Sequence, residues 1–401
     1  MTCEVAVMNT RGIALAADSA VTLGDGEKIY DNAEKLLQLA ASAPIAVMTF
    51  GSADLMDVPW EIIVAGYRQR LGDRRYDTLV EYFEDFVTFI EGAVTMFPDT
   101  LQRERFGKIA YDLWDWLYAR PWKQELEKHR RRNGRDPHGV LRRLIAEDHT
   151  KWEAHPPLDR FDSGFPDAVI NDYGTVLDEA ERKLFGPPEL PEDIRTSLRT
   201  TIRLFLSRAG FLGPQNSGLV IAGMGETEPF PSLLYSRVGP VVKGRLKLHV
   251  FDHVRITHDA TGIISPFAQH ETIDMIIQGI HPDLTECLPS FMANSLKART
   301  RRKKATGDGA PVAVERFRKS MQEEISEKHS GPFMAAVGAL PRHDLAAMAE
   351  ALVNLTAFRA HASVDEKETV AGPIDVAILS KGDGFVWVKH KDIQRTQGFA
   401  P

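Results

Sequence analysis

The chain opens Met1-Thr2-Cys3-Glu4-Val5-Ala6-Val7-Met8, turns at Asn9-Thr10-Arg11-Gly12, and returns through Ile13-Ala14-Leu15-Ala16-Ala17 to Asp18-Ser19. Two apolar runs joined by a short polar turn containing glycine predict a β-hairpin. The start also carries chemistry. A start methionine before a residue as small as Thr2 is normally trimmed, which leaves the threonine first. Threonine at a free N-terminus has a hydroxyl nucleophile and, in its own α-amine, a base with a reference pKa near ~8. One residue then supplies both the attack and the proton acceptor.

The pattern continues with Ala20-Val21-Thr22-Leu23-Gly24, a polar stretch, and Ala33-Glu34-Lys35-Leu36-Leu37-Gln38-Leu39. A further apolar strand, Pro44 to Phe50, runs into Gly51-Ser52-Ala53-Asp54. A helix follows, with Pro59 in its first turn and Ile62, Ile63 and Tyr67 as apolar anchors.

This order resembles the proteasome β-subunit type of N-terminal nucleophile (Ntn) hydrolase, including its bacterial homologues. The resemblance rests on Thr2, on Ala14 to Gly24, on Ala33 to Leu39, on Phe50 to Asp54, and on a late block, Gly372 to Phe385. It implies the four-layer αββα sandwich of that class. It implies Thr2 as nucleophile, Lys35 as the cation that favours its alkoxide, and Asp18 as the carboxylate that orients Lys35. Backbone N–H groups near Met48 would bind the oxyanion. Ser265, in Thr261 to Phe267, is the nearest match to a serine that supports the N-terminal amine. Counting puts Lys367 and Val370 where the family has Asp and Ser; Asp365 and Thr369 are the nearest residues of those types. The implied reaction is hydrolysis of peptide or amide bonds in a peptide or unfolded polypeptide. Identical copies would assemble, as rings in that family, with an ATPase unfoldase as partner. Two other readings share these residues: a small-amide hydrolase, and an inactive shell or interaction subunit, which the altered support residues favour.

Composition sets the bounds. The chain has 401 residues, a net charge of −7 and a sequence pI of about 6.0. Nothing in that balance points to nucleic acid or to a membrane surface. No secretory leader and no apolar run near the ~18 residues of a spanning helix is visible. Two cysteines, Cys3 and Cys287, make no disulfide framework, so a cytoplasmic home is expected. Cys3 alternates to the strand face opposite Thr2 and reads as a small core residue.

The expected core is discontinuous: 1–71, 215–282 and 342–390. The segment 72–214 reads as a helical insertion, with helices over Leu79 to Met96, Ile109 to Trp122, Val140 to Trp152, Ala168 to Leu184 and Pro191 to Leu212. Strands are expected at Gly218 to Gly223, Pro231 to Val238 and Leu246 to Ile256, then a helix from Gln269 to Ile280. The segment 283–341 reads as a second, smaller helical insertion. A helix through Leu345, Met348, Leu352 and Leu355 and a hairpin around Asp383-Gly384 close the chain.

Rival motifs are weaker. The basic runs at 297–304 and 128–132 lack interleaved aromatics and read as solvated faces. His253, His258 and His270, with Asp252, Asp259 and Glu271, match no standard metal spacing, and alternation scatters them over two faces. No phosphate-binding or dinucleotide glycine pattern occurs, and no cofactor is expected.

Overall fold

A computed structural model describes residues 2–23, 28–30, 33–129, 137–158, 160–187, 189–210, 216–303, 310–362 and 372–391. The chain forms a mixture of helices and antiparallel sheets. Its strands are β1 (Cys3–Asn9), β2 (Gly12–Ala17), β3 (Val21–Leu23), β4 (Lys28–Tyr30), β5 (Leu36–Gln38), β6 (Ile45–Gly51), β7 (Asp54–Leu55), β8 (Val58–Pro59), β9 (Ser217–Gly223), β10 (Ser232–Val242), β11 (Arg245–Arg255), β12 (Gly262–Ala268), β13 (Asp375–Ser380) and β14 (Gly384–Lys389). One five-stranded sheet runs β12-β1-β2-β13-β14 and the other β11-β10-β9-β6-β5.

Strand β1 is buried along its whole length, and its side chains alternate between two apolar clusters. Cys3, Val5 and Val7 pack with Ile273, Leu345 and Val353 from helices. Ala6 and Met8 face the other way, against Met48, Val220 and Leu233 of the second sheet. The second sheet buries Val47, Leu219 and Ile221 of its opposite face against the helices Trp60–Leu71 and Leu79–Gly92. Thr78 opens the latter helix through a reciprocal capping box with Glu81. Leu79, Tyr82, Phe83, Phe86, Val87 and Ile90 then fall on one face at helical spacing and are buried.

The described residues between Leu71 and Ser217 are largely helical, and from Phe106 onward they carry a core of their own. Trp114, Tyr118, Leu141, Tyr173, Ile194 and Phe205 meet there, joined by Val242 at the end of β10. Two expectations are corrected, one in this segment and one in β10. The helix expected over Ala168 to Leu184 is two helices, Phe165–Asp172 and Gly174–Phe185. Tyr173 leaves helical geometry between them, its hydroxyl held by Asp99 at 3.1 Å and its ring against Phe106. Strand β10 does not stop at Val238. It runs on to Val242 because a register shift between Val238 and Val241 absorbs Gly239-Pro240.

The helix after β12 spans Glu271–Gln278 and ends at Gly279, whose left-handed φ of 71° favours glycine. Among the described residues no helix is long and apolar enough to cross a membrane.

Candidate functional site

The β1–β2 hairpin brings Asp18 to Thr2. Its register pairs Glu4 with Ala17, so the next residues out, Cys3 and Asp18, lie opposite each other. The Asp18 N–H donates to the Cys3 carbonyl at 3.2 Å, and the Cys3 N–H returns to Asp18 Oδ1 at 3.0 Å. The Thr2 hydroxyl donates to the same oxygen. Asp18 Oδ2 accepts from the Ala20 N–H at 3.2 Å.

Lys35 arrives from the other sheet, one residue before β5. Its carbonyl accepts from the Thr49 N–H at 2.9 Å, which anchors it to β6. Its Nζ donates to Thr2 Oγ1 and lies 2.8 Å from Asp18 Oδ1. All three groups are buried: Thr2 is 6% exposed, Asp18 2% and Lys35 5%. A buried ion pair of this kind persists only when its remaining hydrogen bonds are satisfied, and the backbone bonds to Asp18 do that. An ammonium in contact with a hydroxyl oxygen stabilises that oxygen as it loses its proton.

Thr2 and Lys35 line a cleft of about 660 Å³, together with Thr49, Phe50, Gly51 and Arg237 among others. Met48 is not brought to it. Met48 lies between Leu36 and Val220 in the ladder, its side chain fully buried between the sheets. The Thr49 N–H points toward β5, and alternation along β6 points the Gly51 N–H the same way. There β5 has ended and the cleft begins.

Ser265 is not brought to the cleft either. It pairs with Ala6, four residues along β1 from Thr2, roughly 13 Å at the usual strand rise. Gln269 occupies the place beside Thr2, its N–H donating to the Thr2 carbonyl at 3.0 Å. Asp365 and Thr369, with Lys367 and Val370, lie outside the described residues, as do Met1 and parts of both basic runs.

Sequence reasoning misses four features here. Glu4 is fully buried on the same strand face as Thr2, and its carboxyl oxygens have no hydrogen-bond partner among the described residues. Burial raises its pKa well above the ordinary range, Asp18 adds to that, and Lys35 opposes it. Burial thus favours the neutral form of Glu4. An acidic residue with the parity of Thr2 in an apolar strand was the available signal. A second buried ion pair, Asp375 with Lys391 at 3.1 Å, braces the segments on either side. Lys391 also donates to Ser19 at 3.3 Å, and Ser19 to the Pro373 carbonyl at 2.7 Å. Gly51 falls within the Phe50 to Asp54 block with no role assigned to it, and Arg237 carried no signal beyond its residue type. Cys3 is no rival nucleophile, because burial pushes its thiol up to about 12.

The histidines weighed as metal ligands are dispersed. His253 sits against Arg255, His258 against the Phe230 ring, and His270 against Asp274 at 2.6 Å.

No family model matches the chain, and no curated protein matches it. Among solved structures it is similar to Anbu (ancestral beta-subunit) from Yersinia bercovieri, at 11% identity and TM-score 0.28, over 97% of this chain and 88% of that one. It is similar to an Anbu (Gly-1) mutant from Hyphomicrobium sp. strain MC1, at 11% identity and TM-score 0.29, over 97% and 86%. A helical assembly of the Anbu complex from Pseudomonas aeruginosa gives 10% identity and TM-score 0.30, over 98% and 88%. The assignment to the proteasome β-subunit type and its bacterial homologues is corrected by these findings. No family model supports it, and these solved structures are of Anbu, a proteasome-like but distinct family. At these TM-scores the likeness decides neither the fold nor the chemistry of this chain.

Proposed function

We propose that this chain hydrolyses amide or peptide bonds with Thr2 as nucleophile. The observation that carries the proposal is the convergence of Thr2 Oγ1, Lys35 Nζ and Asp18 Oδ1 at a cleft. The reaction requires loss of Met1, since an acylated Thr2 nitrogen is no base. With the amine free, Thr2 Oγ attacks the carbonyl and its proton passes to that amine. Lys35 stabilises the oxygen as charge develops, and Asp18 holds Lys35 in place. The oxyanion faces the Gly51 N–H, a donor worth on the order of ~3 kcal/mol in such sites. The amine delivers the proton to the leaving nitrogen, and water then cleaves the threonyl ester.

The four-layer αββα arrangement belongs to this reading, supported by one apolar cluster between the sheets and one outside each. So does a discontinuous core of 1–71, 215–282 and 342–390 with 72–214 inserted, supported from Phe106 onward by a separate apolar cluster, while the helix Leu79–Gly92 packs on the second sheet. The segment 283–341 is proposed as the second insertion, supported by the helices Pro282–Lys303, Ala310–Ile325 and Gly331–Ala339 within it. Assembly of identical copies is proposed on the exposed Leu355 and Phe358, neighbours on the helix Arg342–Ala362. Mass photometry tests it, and a monomer at micromolar concentration would refute it.

Intact-mass measurement tests the chemistry. The expected result is loss of Met1 and one covalent adduct on Thr2 from an epoxyketone or β-lactone, absent in Thr2→Ala. A blocked amine with no adduct would leave a non-catalytic subunit. The cleft volume also suits a small ligand, which makes a small-amide hydrolase the second reading. Paired small-amide and peptide substrates separate the two.

A further inference from the structure

The geometry points to Arg237 as the residue that selects a carboxylate-bearing substrate: the cleft beside Thr2 takes a peptide or amide with an acidic side chain next to the attacked bond. This rests on the reading of Thr2 as nucleophile, but its own evidence is separate.

Arg237 lies on β10, half-buried and lining the cleft. Across the sheet it stands in one row with Gly218, Phe50 and His249. None of these is acidic, and burial lowers the His249 pKa, which keeps that ring neutral. The absence of a side chain at Gly218 lets the Phe50 ring lie over it; an added Cβ would come 2.1 Å from that ring. The guanidinium sits 5.9 Å from the Phe50 ring centroid, on an aromatic floor continued by Tyr235.

Arg237 Nε donates to the Tyr235 hydroxyl at 3.3 Å, and Nη1 to Asn216 Oδ1 at 3.0 Å. Both partners are neutral. Nη2 has no acceptor among the described residues, and no carboxylate there pairs with this cation. Its two bonds fix the plane of the guanidinium and leave the outer edge for a planar anion, which arginine binds through parallel N–H donors.

The carboxylates at the cleft do not compensate it. Glu61, Glu271 and Asp283 are exposed at the rim, where water and salt screen them. Lys35 already meets Asp18, and Arg359 donates to Thr272 and His281. Among the described residues Glu34 is the one half-buried carboxylate lining the cleft, and it makes no ion pair with Arg237.

The test uses isosteric peptides, acetyl-Ala-Ala-Glu-Ala-amide and acetyl-Ala-Ala-Gln-Ala-amide, whose only difference is the charge. Binding is measured by calorimetry on the full-length Thr2→Ala protein, so that it does not depend on turnover. The Glu peptide is expected to bind about tenfold tighter. Arg237→Gln should bring the ratio to about one, and Arg237→Glu should favour the matching Lys peptide. Equal binding of the Glu and Gln peptides to the Thr2→Ala protein overturns the proposal, and so does a preference that survives Arg237→Gln. Should Arg237→Gln fail to fold, the ratio on Thr2→Ala still decides it. The nucleophile reading fails separately, by the absence of an adduct on Thr2.

Discussion

Two of the lysines in the interior, Lys35 and Lys247, have surroundings that give them different chemistry. Lys35 sits between the sheets at the mouth of a cleft, in contact with a carboxylate and a hydroxyl. Lys247 is fully buried on β11, where it faces the helix Glu192–Ser207. There its Nζ donates to the Phe205 carbonyl and lies 3.6 Å from the Phe205 ring centroid. Burial drives the Lys247 ammonium well below the ordinary lysine range. Burial works against the charged form of Lys247, while at the cleft a strand register places a carboxylate against Lys35.

The sharpest way to break this comparison is to remove Lys35. Lys35→Met should lower hydrolysis by roughly 10²–10⁴-fold, the range of a lost acid–base partner. It should also cost about 3–5 kcal/mol of stability by stranding Asp18. Turnover of a peptide amide and a denaturant melt read the two effects. Full activity in Lys35→Met would place the chemistry elsewhere.

Lys247→Met should leave turnover intact and alter the pH dependence of folding instead. The folded state holds this proton less tightly than the unfolded state. Stability should therefore rise with pH between neutrality and the ordinary lysine range near ~10.4, by at most about 1.4 kcal/mol per pH unit. Urea melts of both proteins at pH 7 to 9.5 check this; parallel curves would contradict it.

Glu4 supplies the opposite sign. Its folded-state acid is raised, so its contribution is whole below the ordinary glutamate range near ~4.3 and is lost as pH rises toward the folded value. Glu4→Gln should remove that loss, and its advantage over the parent should grow between pH 4.5 and 7. A constant difference across that window would mean that Glu4 is ionised in the fold.

The smallest expected effect is at Gly51. Its φ of 84°, and the Asn216 carbonyl 2.7 Å from an added Cβ, make Gly51→Ala strained by about 1–3 kcal/mol. An unchanged melting temperature would show that the backbone there yields.

The hairpin was legible because it is local. Alternation from Cys3 to Met8 and a short turn at Asn9 to Gly12 fix which residues face each other, and Asp18 beside Thr2 follows. The same counting points to Met48 and Ser265, and there it fails. The Met48 N–H has the parity that faces β9 rather than the cleft, and Ser265 is several residues short of Gln269, which follows the end of β12. One step along a strand reverses the face, so a small offset at a distant segment moves a residue out of the site. The break at Tyr173 was hidden for a similar reason, since a hydroxyl partner 74 residues away holds it.

The sequence by itself determined the place of Thr2 at the head of a buried strand, Asp18 across the hairpin, and the helical character of the described residues after Leu71. Those depend on periodicity and short turns, which act between near neighbours. The tertiary structure alone decided that Lys35 reaches across to Thr2, that Glu4 is sealed in with no hydrogen-bond partner among the described residues, and that Arg237 opens into the same cleft. Each depends on how one sheet stacks on another, and burial sums contacts from the whole chain that no local pattern records.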